Sequence, residues 1–88
     1  MQYIWDEEKN QIIKNQKWRM GIGFENIEKA IMDNSIIVDD YNDNADYACQ
    51  KMMIVMVNNY PFKVPYIELG NNTRRLITAY PYKKYRNI

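Results

Sequence analysis

The side chains best suited to chemistry lie at the end of the chain. Residues 74–88 contain five cations, three tyrosines and no acidic residue. Lysine and arginine neutralise phosphates, and tyrosine rings stack on unpaired bases, so this composition predicts contact with a nucleic acid. A solvated, frayed terminus and an acidic protein partner are the alternatives. The residues concerned are Arg74, Arg75, Tyr80, Tyr82, Lys83, Lys84, Tyr85 and Arg86.

The charges are divided unequally between the two halves of the chain. Residues 1–44 carry 5 Lys or Arg and 9 Asp or Glu, whereas residues 45–88 carry 7 and 2. The formal net charge of +1 is therefore the sum of −4 in the first half and +5 in the second. Such a polarised molecule attracts a polyanion to one surface and not to the other.

Sites for metals and nucleotides find little support in the sequence. Asp40, Asn42 and Asn44 have the spacing of the first ligands of a calcium loop, but Ala45 and Lys51 stand where that loop needs glycine and a bidentate glutamate. Without histidine and with one cysteine, a zinc site lacks its usual ligands. No phosphate-binding glycine motif is complete. We predict no metal and no cofactor.

The lone Cys49 is expected to pack as a small apolar group, because a thiol nucleophile would need a histidine that the chain does not contain. An isolated cysteine also fits a reducing compartment. No apolar run reaches the length of a membrane span, and the acidic start of the chain does not resemble a signal peptide. We therefore predict a cytoplasmic protein that does not bind membranes.

The elements that must position the basic residues follow from periodicity. We predict one domain over residues 1–88, with 81–88 as a basic tail. Asp6 is expected to cap a first helix over 6–17, and apolar residues at helical spacing predict a second helix over Phe24–Met32. The other predicted elements are a β-prone opening at 2–5, a strand at 35–38, a polar loop at 39–44, a central strand at Lys51–Val57, a turn at 59–61 and strands at 64–69 and 74–80. The fold class is α+β, a small antiparallel β-sheet with two N-terminal helices packed on one face.

Alternation along the last two strands predicts two different faces. Ile67, Leu69, Ile77 and Ala79 are expected beneath the helices, and Tyr66, Glu68, Arg74, Thr78 and Tyr80 on the uncovered side. A turn at 70–72 would place Glu68 opposite Arg74. That pair is either a cross-strand ion pair or part of a site.

Several segments resemble a known family. They are the opening YIWDEEKN, the segment GIGFENIEKAI, the strand RRLITA and the closing KKYR. In order and spacing they resemble the BrnT-type toxins of bacterial type II toxin–antitoxin systems over nearly the whole chain. The resemblance implies a RelE-like microbial ribonuclease fold, RNA cleavage and a cognate antitoxin partner. Met20 stands where the family commonly has histidine, and Tyr80 where it usually has arginine.

RNA cleavage without metal or histidine needs an in-line 2′-hydroxyl, a base that accepts its proton, and cations beside the phosphate. Glu68 or Tyr80 is the expected base, and a carboxylate requires partial burial to act well. The expected phosphate-holding residues are Arg74 and Lys84. Arg75, Lys83 and Arg86 are expected on the flanking RNA backbone, and Tyr85 on a base.

Two functions are thus expected from the sequence. The first is a metal-independent endoribonuclease acting as the toxin of a toxin–antitoxin pair. The alternative is a non-catalytic module of a phage or mobile element that binds nucleic acid or an acidic protein with strong salt dependence.

Overall fold

The computed structural model describes residues 1–41 and 51–83 of the chain, and these form an α+β structure with two α-helices and six strands. The elements are β1 (Gln2–Ile4), α1 (Glu7–Lys14), a short 3₁₀ helix (Lys17–Arg19), α2 (Phe24–Met32), β2 (Ile36–Tyr41), β3 (Lys51–Val57), β4 (Tyr60–Gly70), β5 (Thr73–Leu76) and β6 (Tyr80–Pro81).

The strands form one mixed sheet in the order β1-β5-β4-β3-β2. Neighbours from β2 to β5 are antiparallel, but β1 runs parallel to β5. Strand β6 pairs antiparallel with Phe62 and Lys63 of β4, an earlier part of that strand than the part that pairs with β5. The prediction of a purely antiparallel sheet is therefore wrong. Alternation in a three-residue strand carries no information on its partner, which here lies about seventy residues later in the chain.

Local sequence signals account for both helices. The Asp6 carboxylate accepts hydrogen bonds from the backbone N–H groups of Glu8 (2.9 Å) and Lys9 (3.3 Å), as expected of an N-cap. Helix α1 ends at Lys14 rather than at 17, since the chain turns at Asn15 and tightens into the 3₁₀ helix. Helix α2 has the bounds that its periodicity predicts.

A buried polar contact joins the two helices. Asn10 in α1 is fully buried, and its amide oxygen accepts from the backbone N–H of Phe24 at 2.8 Å. Its amide nitrogen donates to the carboxylates of Glu25 (2.6 Å) and Glu7 (3.3 Å). A Cβ on Gly23 would lie 2.7 Å from the Asn10 oxygen, so only glycine allows this close approach. Asn10 therefore caps the start of α2 from a different helix.

The Glu25 carboxylate makes this junction sensitive to acid. Burial raises the pKa of Glu25, but hydrogen bonds from Lys14 and Asn10 outweigh burial and lower the pKa below its ordinary value. A depressed pKa in the folded state contributes stability that is present above the unfolded-state pKa and is lost as pH falls through the folded-state pKa. We expect urea unfolding at pH values from neutral to about 3 to show a loss of stability below about pH 4.3.

The Glu25→Gln variant tests the origin of that loss. We expect its stability to fall less steeply with acid than that of the parent chain. Glu28→Gln removes one charge from the same helix and serves as the matched control, which should retain the parent's slope. Equal slopes for the parent chain and Glu25→Gln would contradict the assignment.

The core lies between the helices and one face of the sheet. Residues of α1, α2, β3, β4 and β5 meet there in one cluster. Its most buried members include Ile13, Phe24, Ile27, Met53, Val55, Phe62, Val64, Tyr66, Leu76 and Ala79. The strand register is consistent with this core, because Met53 lies opposite Val64, and Tyr66 opposite Leu76.

The predicted faces of the last two strands are partly wrong. Tyr66, expected on the uncovered side, is 0 % exposed, and Leu69, expected beneath the helices, is 50 % exposed. Ala79 is buried as predicted. The first part of β4 is apolar at nearly every position, so alternation there does not identify the inner face. As a result Glu68 and Arg74 lie on the helix-covered face, at its exposed end.

The turns and strand ends differ from the prediction in detail. The turn from β4 to β5 contains Asn71 and Asn72 at positive φ, with Gly70 at +82° and paired with Thr73. The preceding turn lies at 58–59 rather than 59–61, so β4 begins at Tyr60. The predicted strand over 74–80 is two strands, β5 and β6, separated by residues 77–79.

The polar loop predicted at 39–44 is in part a strand, because β2 runs from Ile36 to Tyr41. Residues Asn42, Asn44, Ala45 and Cys49, and with them most of the calcium-loop pattern, lie outside the described residues.

Candidate functional site

The candidate site is centred on Arg74 in β5. Its Nε donates to Glu68 Oε1 at 2.9 Å, and its Nη1 donates to Asp39 Oδ2 at 3.0 Å. The two carboxylates come from β4 and β2, which lie on either side of β3 in the sheet. The Arg74 side chain therefore connects β5 with β4 and β2, and no local sequence pattern predicts this contact.

Tyr66 forms the floor beneath the guanidinium. The Arg74 Cζ lies 4.5 Å from the centre of the Tyr66 ring, and the Tyr66 hydroxyl donates to Asp39 Oδ1. A guanidinium over an aromatic face is stabilised electrostatically. Tyr66 and Arg74 thus occupy both oxygens of Asp39, whose role is to orient Arg74.

The sheet register explains this convergence. Directly paired residues on neighbouring strands share a face. Arg74 lies opposite Glu68 on one side and beside Tyr3 of β1 on the other, while Asp39 lies opposite Met53. The Met53 sulfur is 3.5 Å from Arg74 Nη1, so the apolar core continues directly into the polar cluster.

The cluster balances its charges. Lys51, opposite Tyr66 on β3, places its ammonium 4.0 Å from Glu68 Oε1. Among the side chains that the structure describes, two cations, Lys51 and Arg74, therefore stand with two carboxylates, Asp39 and Glu68. The site is polar without being strongly basic.

Burial and neighbouring charged groups determine the pKa values of Arg74 and Tyr66. Burial lowers the pKa of Arg74, but Asp39, Tyr66 and Glu68 outweigh burial and raise that pKa, so the guanidinium stays charged. Burial, followed by the hydrogen bond to Asp39, raises the pKa of Tyr66 well above its ordinary value. The Tyr66 hydroxyl is therefore a proton donor to Asp39 and not a base.

Two polar groups of the cluster reach the surface. The Glu68 side chain is 37 % exposed and the Arg74 side chain 14 %. Within the described residues, the structure shows no hydrogen bond of Glu68 Oε2, whereas the Arg74 guanidinium also interacts with the hydroxyl of Tyr3 on β1. A carboxylate oxygen and a guanidinium N–H thus stand side by side at the exposed end of the sheet.

The predicted cross-strand placement of Glu68 and Arg74 is confirmed. Arg75 is exposed on the opposite face of β5, where it pairs with Ile67 and with Ile4 of β1. Neighbouring residues of a strand point to opposite faces, so Arg75 does not approach the Arg74 cluster.

Tyr80 is also separate from the Arg74 cluster. It pairs with Lys63, which lies five residues before Glu68 in β4, or roughly 17 Å along the strand. Lys63 is on the face opposite to Glu68, and Tyr80 shares that face. Burial lowers the pKa of Arg19, and the nearby Tyr80 side chain opposes this effect. Arg19 donates hydrogen bonds to the Thr78 hydroxyl and to the carbonyl of Ala79.

The start of the tail is held to the sheet. Pro81 belongs to β6, and the Tyr82 N–H donates to the carbonyl of Pro61 at 2.9 Å. Lys83 is exposed. Lys84, Tyr85 and Arg86, predicted as phosphate- and base-contacting residues, lie outside the described residues.

Sequence reasoning did not find Asp39, and it placed Tyr66 on the wrong face. Asp39 directly follows the β-branched run Ile36-Ile37-Val38. An acidic residue that extends a strand was the only signal in the sequence that could have indicated a role for Asp39. Its approach to Arg74 depends on sheet order, because the two residues are thirty-five positions apart.

Comparisons with known proteins do not identify this chain: no family model, curated protein or solved structure matches it significantly. Over residues 1–41 and 51–83, no three His, Cys, Asp or Glu side chains are grouped so that they could hold a metal ion. Neither described helix has the length and apolar content that crossing a membrane requires.

Proposed function

We propose that this chain is a metal-independent endoribonuclease with a RelE-like fold, the toxin of a type II toxin–antitoxin pair of the BrnT kind. The carrying observation is the Arg74 guanidinium, held by Asp39 and Tyr66 beside the half-exposed carboxylate of Glu68. The α+β architecture and the family-like segments support the same proposal. A cognate antitoxin and a cytoplasmic location belong to it.

The geometry suits the two needs of RNA cleavage. Arg74 is oriented by three neighbours before any substrate arrives, and a pre-oriented cation stabilises developing charge at low reorganisation cost. Glu68 Oε2 lies next to it as a proton acceptor. Close placement of a base and a phosphate-binding cation is what an in-line attack by the 2′-hydroxyl requires.

In the proposed reaction Glu68 takes the proton of a 2′-hydroxyl while that oxygen attacks the adjacent phosphorus. The P–O5′ bond breaks, and the leaving oxygen takes a proton from solvent or from a nearby acid. The products are a 2′,3′-cyclic phosphate and a 5′-hydroxyl. Arg74 stabilises the negative charge on the phosphorane oxygens.

The proposed site differs from the one expected from sequence. Glu68 is the base rather than Tyr80, since Tyr80 lies on the other face and roughly 17 Å along β4. Asp39 and Tyr66 enter as positioning residues. Arg75 and Lys83 remain proposed contacts to the flanking RNA, together with Lys84, Tyr85 and Arg86 of the tail.

The test is incubation of the purified chain with end-labelled single-stranded RNA in a chelator, with and without ribosomes. We expect discrete fragments with 2′,3′-cyclic phosphate ends, and a loss of about 100-fold or more in Glu68→Gln, which is isosteric but cannot accept the proton. Intact RNA under both conditions would contradict the proposal. So would full activity of folded Glu68→Gln.

A second function, a non-catalytic RNA-binding module, is favoured by two other observations. Among the described side chains the Arg74 cluster has equal numbers of cations and carboxylates, as in a structural ion-pair network. On the opposite face Arg75 and Tyr80 pair with β4 residues four positions apart, roughly 13 Å, so one RNA strand would reach both. Salt-sensitive binding without cleavage would favour this module.

A further inference from the structure

Exposed apolar side chains occur in α1 and in the 3₁₀ helix that follows it. Ile12 is 57 % exposed and Trp18 58 %, and Met20 is also exposed. Ile12 and Trp18 with Glu8, Gln16 and Arg19 are named the α1 surface. A contiguous patch of large exposed apolar side chains is typical of a surface that binds another protein.

The α1 surface contains a groove of about 480 Å³. Asp6, Glu8, Lys9, Ile12, Gln16 and Arg19 line it. Glu8 and Ile12 are four residues apart in α1, so they share one side of the helix. An apolar centre flanked by polar ends is the composition of a protein interface.

Two residues of this surface are of the kinds that dominate interface energetics. The Arg19 guanidinium stacks 4.4 Å from the centre of the Trp18 ring. Arg19 is itself anchored by hydrogen bonds to Thr78 and Ala79, which limits the freedom of the stacked pair. Trp and Arg are enriched among the residues that contribute most to binding.

The charges along the α1 surface are self-complementary. Asp6 and Glu8, at the start of α1, and Arg19, beyond the end of α1, line the same groove, with Ile12 between them in the chain. Lys9 offsets only part of the acidic end. A second copy turned by 180° would place its basic end against the acidic end of the first, with one Ile12 facing the other.

We propose that two copies of this chain associate through the α1 surface, as a symmetric pair with antiparallel α1 helices centred on Ile12. None of the residues that define the α1 surface belongs to the Arg74 cluster. It is independent of whether the chain cleaves RNA, so its test and the cleavage assay can fail separately.

The test is sedimentation equilibrium of the full chain over concentrations from about 1 µM to about 500 µM, where a reversible dimer shows a concentration-dependent mass. We expect the parent chain to dimerise. In Ile12→Glu, two like charges meet at the centre of the interface, and we expect dissociation to become at least about tenfold easier. Met32→Glu is the matched control, since Met32 is an exposed apolar residue on the other helix.

Glu8→Lys provides a second variant at an exposed position in the first turn of α1. Because a cation there opposes the helix dipole, circular dichroism must establish that the variant is folded. It would place a cation against the basic end of the second copy, and we expect it to weaken the dimer as well. A parent chain that stays monomeric throughout overturns the proposal, whatever other protein the α1 surface then binds. A dimer insensitive to Ile12→Glu, or equally weakened by Met32→Glu, also overturns it.

Discussion

Replacing Arg74 with alanine is expected to lower the rate of the proposed RNA cleavage by roughly 100- to 1,000-fold, the usual effect of removing one pre-oriented transition-state donor. Arg74 contacts both carboxylates of the cluster, lies over the ring of Tyr66 and interacts with the hydroxyl of Tyr3 on β1. The measurement is single-turnover cleavage of end-labelled RNA in a chelator. Arg74→Lys should recover only part of the rate, because an ammonium cannot reproduce the planar contacts of a guanidinium.

The matched control is Arg75→Ala. Arg75 is the next residue of the same strand and carries the same charge, but it is exposed on the opposite face. We expect its loss to change cleavage only by the few-fold effect of one phosphate contact, and to lower the salt dependence of binding. Equal losses in the two variants would favour the binding module over the nuclease. Circular dichroism establishes that each variant is folded at the assay temperature.

Replacing Asn10 with alanine is expected to lower the free energy of unfolding by about 2–4 kcal/mol. The substitution leaves the buried Phe24 N–H without its acceptor, removes a donor to Glu25, and opens a cavity where the side chain was fully enclosed. Chemical denaturation followed by the fluorescence of Trp5, which packs on Phe24 at 5.7 Å between ring centres, measures the loss.

Asn15→Ala is the control for that measurement. Asn15 ends α1 and is exposed, so the same substitution there should change stability by no more than about 0.5 kcal/mol. If Asn10→Ala lost no more stability than Asn15→Ala, the buried contact would not be what stabilises the junction, because the higher helix propensity of alanine predicts no loss at either position. That result would exclude Asn10 as the joint between α1 and α2.

How much of the candidate site was predictable differs from residue to residue. The opposition of Glu68 and Arg74 followed from the turn between them, because a short turn sets the register of its two strands. The contributions of Asp39 and Tyr66 were not predictable in the same way. Asp39 lies near Arg74 only because of the order of the strands in the sheet, and Tyr66 lies in a stretch of β4 with apolar residues on both faces.

The predicted base illustrates the same limit. Glu68 and Tyr80 were equivalent candidates in the sequence, since both were assigned to the same face of two long strands. The break between β5 and β6 and the pairing of Tyr80 with Lys63 separate them in space. No residue between Leu76 and Tyr80 is a glycine or proline that would have signalled this break.

The sequence by itself determined the features that depend on near neighbours: the Asp6 cap, the bounds of α2 and the opposition of Glu68 and Arg74. Backbone preferences and side-chain periodicity act over a few residues, so a linear pattern contains them. Only the tertiary structure decided that β1 runs parallel to β5 and that Asp39 reaches Arg74. These contacts join distant parts of the chain, and burial of the whole sheet face, which no short segment specifies, selects among them.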